Sequence, residues 1–141
     1  MELRFTSVHI KVHIHGTEDA EKTLGVVSKV LKIPLDLFSH TKTEGHFGNP
    51  ILIYSANLAK DSAEAFVANM LSELYPLDKS TLREEIWKHI DDRGDLHLRL
   101  GKQNMFSGRI TLGALDVVWI KIKSHSTGSR EELVSAYRSL F

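Results

Sequence analysis

Three histidines, His9, His13 and His15, recur at even spacings within one short stretch, the first arrangement in this 141-residue chain whose types and spacing could do chemistry. Side chains two apart on a strand share a face, so His13 and His15 could together chelate a metal ion. A closed structural site, however, needs about four ligands and a catalytic one about three plus a water. No HExxH or equivalent motif supplies the remainder. The histidine row therefore reads as a solvated or partner-facing polar face, with nucleic-acid contact as the alternative, and neither a metal nor another cofactor is expected. Nucleophilic catalysis has no better footing: there is no cysteine and no G-x-S-x-G elbow, and Asp91 and Asp92 fall in a polar turn. We expect a protein that is not an enzyme.

Two other stretches carry ligand-binding chemistry. The connector 44–50, Glu-Gly-His-Phe-Gly-Asn-Pro, lacks both the GxxxxGK[ST] and the GxGxxG spacing and leads into a strand, so it is not a nucleotide phosphate loop. Its glycines, Asn49 and Pro50 specify a shaped turn, with His46 and Phe47 at the tip to donate to a phosphate and stack on a base. As a plain turn it needs no ligand, yet it is longer than the roughly two residues a tight hairpin requires. Residues 98–109 hold Arg99, Lys102 and Arg109, the amides Gln103 and Asn104, and Phe106, without one acid. This is the best phosphate-binding candidate, its cations giving charge-assisted donors and its amides reading polar edges. Met105 and Phe106 are expected in the core.

The elements that must position these residues follow from periodicity. Val8, Ile10, Val12 and Ile14 alternate with His9, Lys11, His13 and His15, a half-buried strand. Gly16 ends it; Thr17 is placed to cap a helix whose buried stripe is Ala20, Leu24, Val27 and Leu31. Residues 37–43 and 51–58 read as a hairpin around the connector. Asp61 with Glu64 has the pattern of a capping box before the stripe Ala63, Phe66, Val67, Met70, Leu71 and Leu74. Pro76 interrupts that helix, and Leu82, Ile86 and Ile90 predict a third, ending at the turn 91–95. Strands are expected around Leu96–Leu100, at 109–112 and at 117–123, and Ser129 with Glu132 caps a terminal helix. The order argues for a single α+β domain over 1–141, a mainly antiparallel sheet packed by about four helices.

Charge bears on partners. With 18 basic and 18 acidic residues the chain is formally neutral, which weakens a whole-molecule positive field. The charge is segregated along the chain, however: residues 96–130 carry six cations against Asp116, and 61–95 carry nine acids against four cations. Such a dipole can steer an anionic polymer to one side. Without a cysteine, a signal-like start or a long apolar run, the chain is expected to be cytoplasmic and free of the membrane.

Three motifs together, Gly16-Thr17-Glu18-Asp19-Ala20-Glu21-Lys22, residues 43–51 (Thr-Glu-Gly-His-Phe-Gly-Asn-Pro-Ile) and Leu98-Arg99-Leu100-Gly101-Lys102-Gln103, resemble an archaeal family of predicted RNA-binding proteins. The resemblance spans nearly the whole chain. That family is described as exosome-associated or double-stranded-RNA-binding-domain-like, and its members are similar in fold to the ribosomal protein that binds five-S RNA. The family pattern favours an acid before Lys-Gln, where this chain has Gly101.

The resemblance implies a non-catalytic RNA-binding protein, for which Lys42, His46, Phe47, Asn49, Arg99, Lys102, Gln103 and Arg109 are the expected contacts. Its RNA would be structured or double-stranded, read by shape. The alternative is an assembly module, a homodimer or a subunit of an RNA-processing complex, that binds no RNA itself.

Overall fold

The structure is a computed structural model that describes residues 3–44, 50–125 and 128–141. It bears out the α+β expectation: five strands form one antiparallel sheet, β1 (Arg4–His15), β2 (Ser39–Glu44), β3 (Pro50–Ala59), β4 (Leu96–Gly101) and β5 (Val117–His125), in the order β2-β3-β1-β5-β4. Among the described residues five α-helices accompany it: α1 (Ala20–Leu31), α2 (Asp61–Glu73), α3 (Pro76–Glu85), α4 (Lys102–Met105) and α5 (Arg130–Arg138).

Alternation in β1 decides which face is buried. Val8, Ile10, Val12 and Ile14 are at most 1% exposed, each contributing about 1.5–3 kcal/mol of transfer free energy. They join Leu24, Val27 and Leu31 of α1, Phe66, Val67 and Met70 of α2, and Leu133 and Tyr137 of α5 in one cluster. Tyr137 is fully buried and donates its hydroxyl to Ser124 Oγ at 3.0 Å, so the one polar atom of that ring is satisfied. A one-residue slip of β1 would move all four aliphatic side chains to the opposite face.

Four local expectations are corrected. The cap of α1 is Asp19, not Thr17: its carboxylate accepts from Lys22 N at 3.2 Å, while Glu18 accepts from His15 N, also at 3.2 Å. Asp61 and Glu64 form no capping box, because Glu64 Oε1 instead accepts from Phe5 N at 2.8 Å and ties α2 to β1. Residues 109–112 form no strand of the sheet. They make single bridges, Ile110 to Leu74 and Leu112 to Leu100, because two glycines let this segment press on β4. A Cβ on Gly113 would meet Gly101 Cα at 3.0 Å, so the two backbones approach as no larger residue allows. Gly101 N donates to Thr111 O and Gly113 N to Arg99 O, both at 2.9 Å, which occupies the outer edge of β4. Met105 is buried as expected, but Phe106 is 42% exposed.

Candidate nucleic-acid interface

Antiparallel register fixes what the other face of the sheet displays. His9 of β1 lies opposite Asn57 of β3 and Lys121 of β5, and Lys121 lies opposite His97 of β4. The next row on the same face runs Ser39, Ser55, Lys11, Trp119, Arg99 across all five strands. Neighbouring strands are about 4.8 Å apart, so this face is a grid of basic, imidazole and aromatic side chains.

Over β1, β5 and β4 the grid floors a groove of about 780 Å³. Its wall comes from Lys88, His89, Ile90 and Asp91 on one side and from Leu112, Gly113 and Ala114 on the other. Bridges from Ile90 to Leu96 and from Leu112 to Leu100 hold both wall segments on β4. The lining holds Lys11, Lys88, Arg99 and Lys121 with His9, His89 and His97, against the single carboxylate Asp91.

The polar groups are held in fixed orientations. His9 Nδ1 donates to Asn57 Oδ1 at 2.7 Å, which leaves Nε2 free to face a ligand. His97 Nε2 meets Asp91 Oδ2 at 2.7 Å, and Asp91 Oδ1 accepts from Arg93 N and Asp95 N. Burial works against ionisation of Asp91, but these hydrogen bonds prevail and hold its pKa at about 2. Lys121 lies 3.7 Å from the buried Asp95. His13 packs edge-on against Trp119, ring centroids 4.4 Å apart. Burial first, then the charges of Lys11, His15 and Lys102, pushes its pKa below the usual histidine value. Arg99 makes no side-chain hydrogen bond or ion pair with the described residues, so its guanidinium donors are unspent.

Asp91 carries a pH prediction. Its folded pKa lies below the ordinary 3.8, so its contribution is complete above that value and is lost as pH falls toward 2. Urea unfolding should therefore separate the wild type from Asp91→Asn at pH 6, and the gap should narrow by pH 2. A gap of the same size at both values would show that the carboxylate's charge is not what stabilises the turn.

The structure separates the residues expected to act together. Arg99 lies in the groove. Lys42 is exposed on the sheet's other face, opposite Leu52 in register. Arg109 is exposed between Gly108 and Ile110, which line a second cleft of about 380 Å³ beside Lys29 and Lys32. His46, Phe47 and Asn49 lie outside the described residues. Gln103 donates to Asp116 Oδ2 at 2.8 Å.

Lys102, expected to meet phosphate, is 1% exposed. Its Nζ lies 2.8 Å from each of His13 O, Glu18 Oε1 and Asp116 Oδ1. Three donors meet three acceptors, so nothing is left for a ligand. Hydrogen bonds from Lys102 and Gln103 overcome the effect of burial and lower the Asp116 pKa. His15, Glu18 and Asp116 come close enough to suggest a metal-ligand cluster, but the Lys102 ammonium already supplies the cation between the two carboxylates.

Sequence reasoning missed Lys11, Lys88, Trp119 and Lys121 as groove residues. The alternation Trp119, Lys121, Lys123 in β5 carried the signal, but which strands lie beside β5 is not written in any local pattern.

The molecule is thus an antiparallel sheet with helices on one face and a basic, aromatic groove on the other, and comparison with known proteins gives its family. The chain belongs to a family of RNA-binding proteins, whose family model, described as RNA binding, matches residues 7–125. It is 30% identical over 139 residues to the RNA-binding protein PAB1135 of Pyrococcus abyssi, covering 94% of this chain and 90% of that protein. Among solved structures it is similar to AF2318 from Archaeglobus fulgidus, a DUF54 protein, with a TM-score of 0.83 at 25% identity, 98% of this chain and 100% of that one being covered. It is also similar to SSO0741 from Sulfolobus solfataricus, of the same DUF54 family, with a TM-score of 0.74 at 26% identity, covering 94% and 97%.

Proposed function

We propose that this protein binds structured or double-stranded RNA without catalysis, laying the phosphate backbone along the groove over β1, β5 and β4. The observation that carries the reading is the row Lys11, Trp119, Arg99 with Lys121 and Lys88 beside it, four cations facing one carboxylate in a chain of zero net charge. Backbone contacts of this kind fix position and read shape, and carry little sequence information. The name of the Pyrococcus relative supports the same assignment. Arg99 is the contact that the sequence and the groove share. The connector with His46, Phe47 and Asn49, together with Lys42 and Arg109, would meet RNA only where it extends past the groove.

Salt titration tests the reading directly. Binding to a double-stranded RNA should weaken linearly in log-log form, with a slope of about −3.6 for four phosphate contacts, and a single strand of equal length should bind more weakly. Salt-independent binding, or none, would overturn it.

An assembly role, including association with an RNA-processing complex such as the exosome, is the second reading. It has one specific observation: β2 stands at the edge of the sheet and pairs only with β3 among the described strands. Sizing with and without RNA separates the two, since a module that only assembles would associate without nucleic acid.

A further inference from the structure

We propose that Trp119 forms a subsite for one unpaired RNA base, so that the protein prefers structured RNA carrying a bulged or looped-out nucleotide over a perfect duplex. The inference rests on the RNA-binding reading above and names the feature of the RNA that the groove selects.

Trp119 is 37% exposed at the middle of a groove whose other floor residues are mainly charged or polar. Its neighbours Val118 and Ile120 supply the core contacts of β5, so the indole is left facing the groove rather than the core. Its cross-strand neighbours are Lys11 on one side and Arg99 on the other. Each flank therefore offers a cation to the phosphate on either side of a base placed over the indole. His13 braces the ring edge-on and fixes its orientation. Being disfavoured as a cation by its burial and by the charges near it, His13 leaves the aromatic platform neutral.

The bases of a perfect A-form duplex are stacked and inaccessible to such a ring, whereas an unpaired base can be splayed out onto it. The wall formed by Leu112, Gly113 and Ala114 rises beside this row.

The test uses an RNA duplex of about 16 base pairs, perfect or with one unpaired adenosine. The wild type should bind the bulged duplex about tenfold more tightly. Trp119→Ala should bind the two alike, and Trp119→Phe should keep most of the preference. Because the chain has two tryptophans, Trp87→Phe isolates the emission of Trp119, which the bulged duplex should quench and the perfect one should not. That signal does not depend on the stability of the alanine variant. Equal, salt-dependent binding of both duplexes with unchanged emission would overturn the subsite and leave the RNA-binding face standing. Failure of the wild type to bind either duplex would overturn both.

Discussion

Lys102→Met should lower the unfolding free energy by about 3 kcal/mol, the scale for removing one partner of a buried ion pair. The side chain is 1% exposed and its ammonium satisfies His13 O and two carboxylates. Methionine fills much the same volume, so packing is nearly conserved and the loss is electrostatic. Glu18 and Asp116 are left facing one another without a counter-charge. They are 18% and 34% exposed, so water relieves part of the repulsion and the effect stays at the low end of the buried-pair range. Urea denaturation at neutral pH should show the midpoint falling with the slope unchanged. Adding Glu18→Gln and Asp116→Asn to Lys102→Met should recover about half of the loss, since orphaned charge rather than the missing cation is the main cost. A loss under about 1 kcal/mol in the single variant, within the range of ordinary substitutions, would mean that the network contributes little to the fold.

The second large effect concerns binding. The triple variant K11A/K88A/R99A should bind double-stranded RNA at least about 30-fold more weakly near 0.1 M salt, with a salt slope shallower by about 2 to 3. Lys11 and Arg99 are chosen because they flank Trp119 and make no ion pair with the described residues. The only ion partner of Lys88 among the described residues is the half-exposed Glu85 at 3.5 Å, so its loss costs the fold little. Lys121 is left in place because its removal would strand the buried Asp95. The pair K42A/R109A, on the other face of the sheet and beside the second cleft, should lose less than about threefold. If that pair proved the more damaging, the groove would not be the principal RNA surface.

How much of this could be read from the chain varies with the range of the interaction. The alternation in β1, the stripes of α1 and α2 and the Ser129 cap were legible because each is written within a few residues. The cap of α1 was misplaced by two positions because Thr17, Glu18 and Asp19 all offer acceptor oxygens. What decided it was that Glu18 is engaged by His15 N and Lys102. Lys102 was misread for a related reason. Local composition presented it as one of three cations without an acid nearby, while its partners Glu18 and Asp116 are separated from it by 84 and 14 positions. Arg99 is legible as a cation on an alternating strand and lies in the groove, but its companions Lys11 and Trp119 come from two other strands and depend on the register. The family resemblance points to the class of ligand; the place proposed for it rests on the grid of cross-strand neighbours.

The two edges of the sheet differ in kind. At the end of β4, Gly101 N and Arg99 O are met by Thr111 and Gly113, which Gly101 and Gly113 allow to lie close, and Ile90 bridges Leu96 at its start, while β2 has a neighbour on one side only among the described strands. A strand-to-strand contact between copies thus has one available seam per molecule. Two molecules joined along it in antiparallel fashion would consume each other's seam, and the closed edges at β4 would face outward at both ends. Such growth stops at a pair and cannot extend into a fibre. The pair would carry its two grooves on one continuous ten-stranded surface.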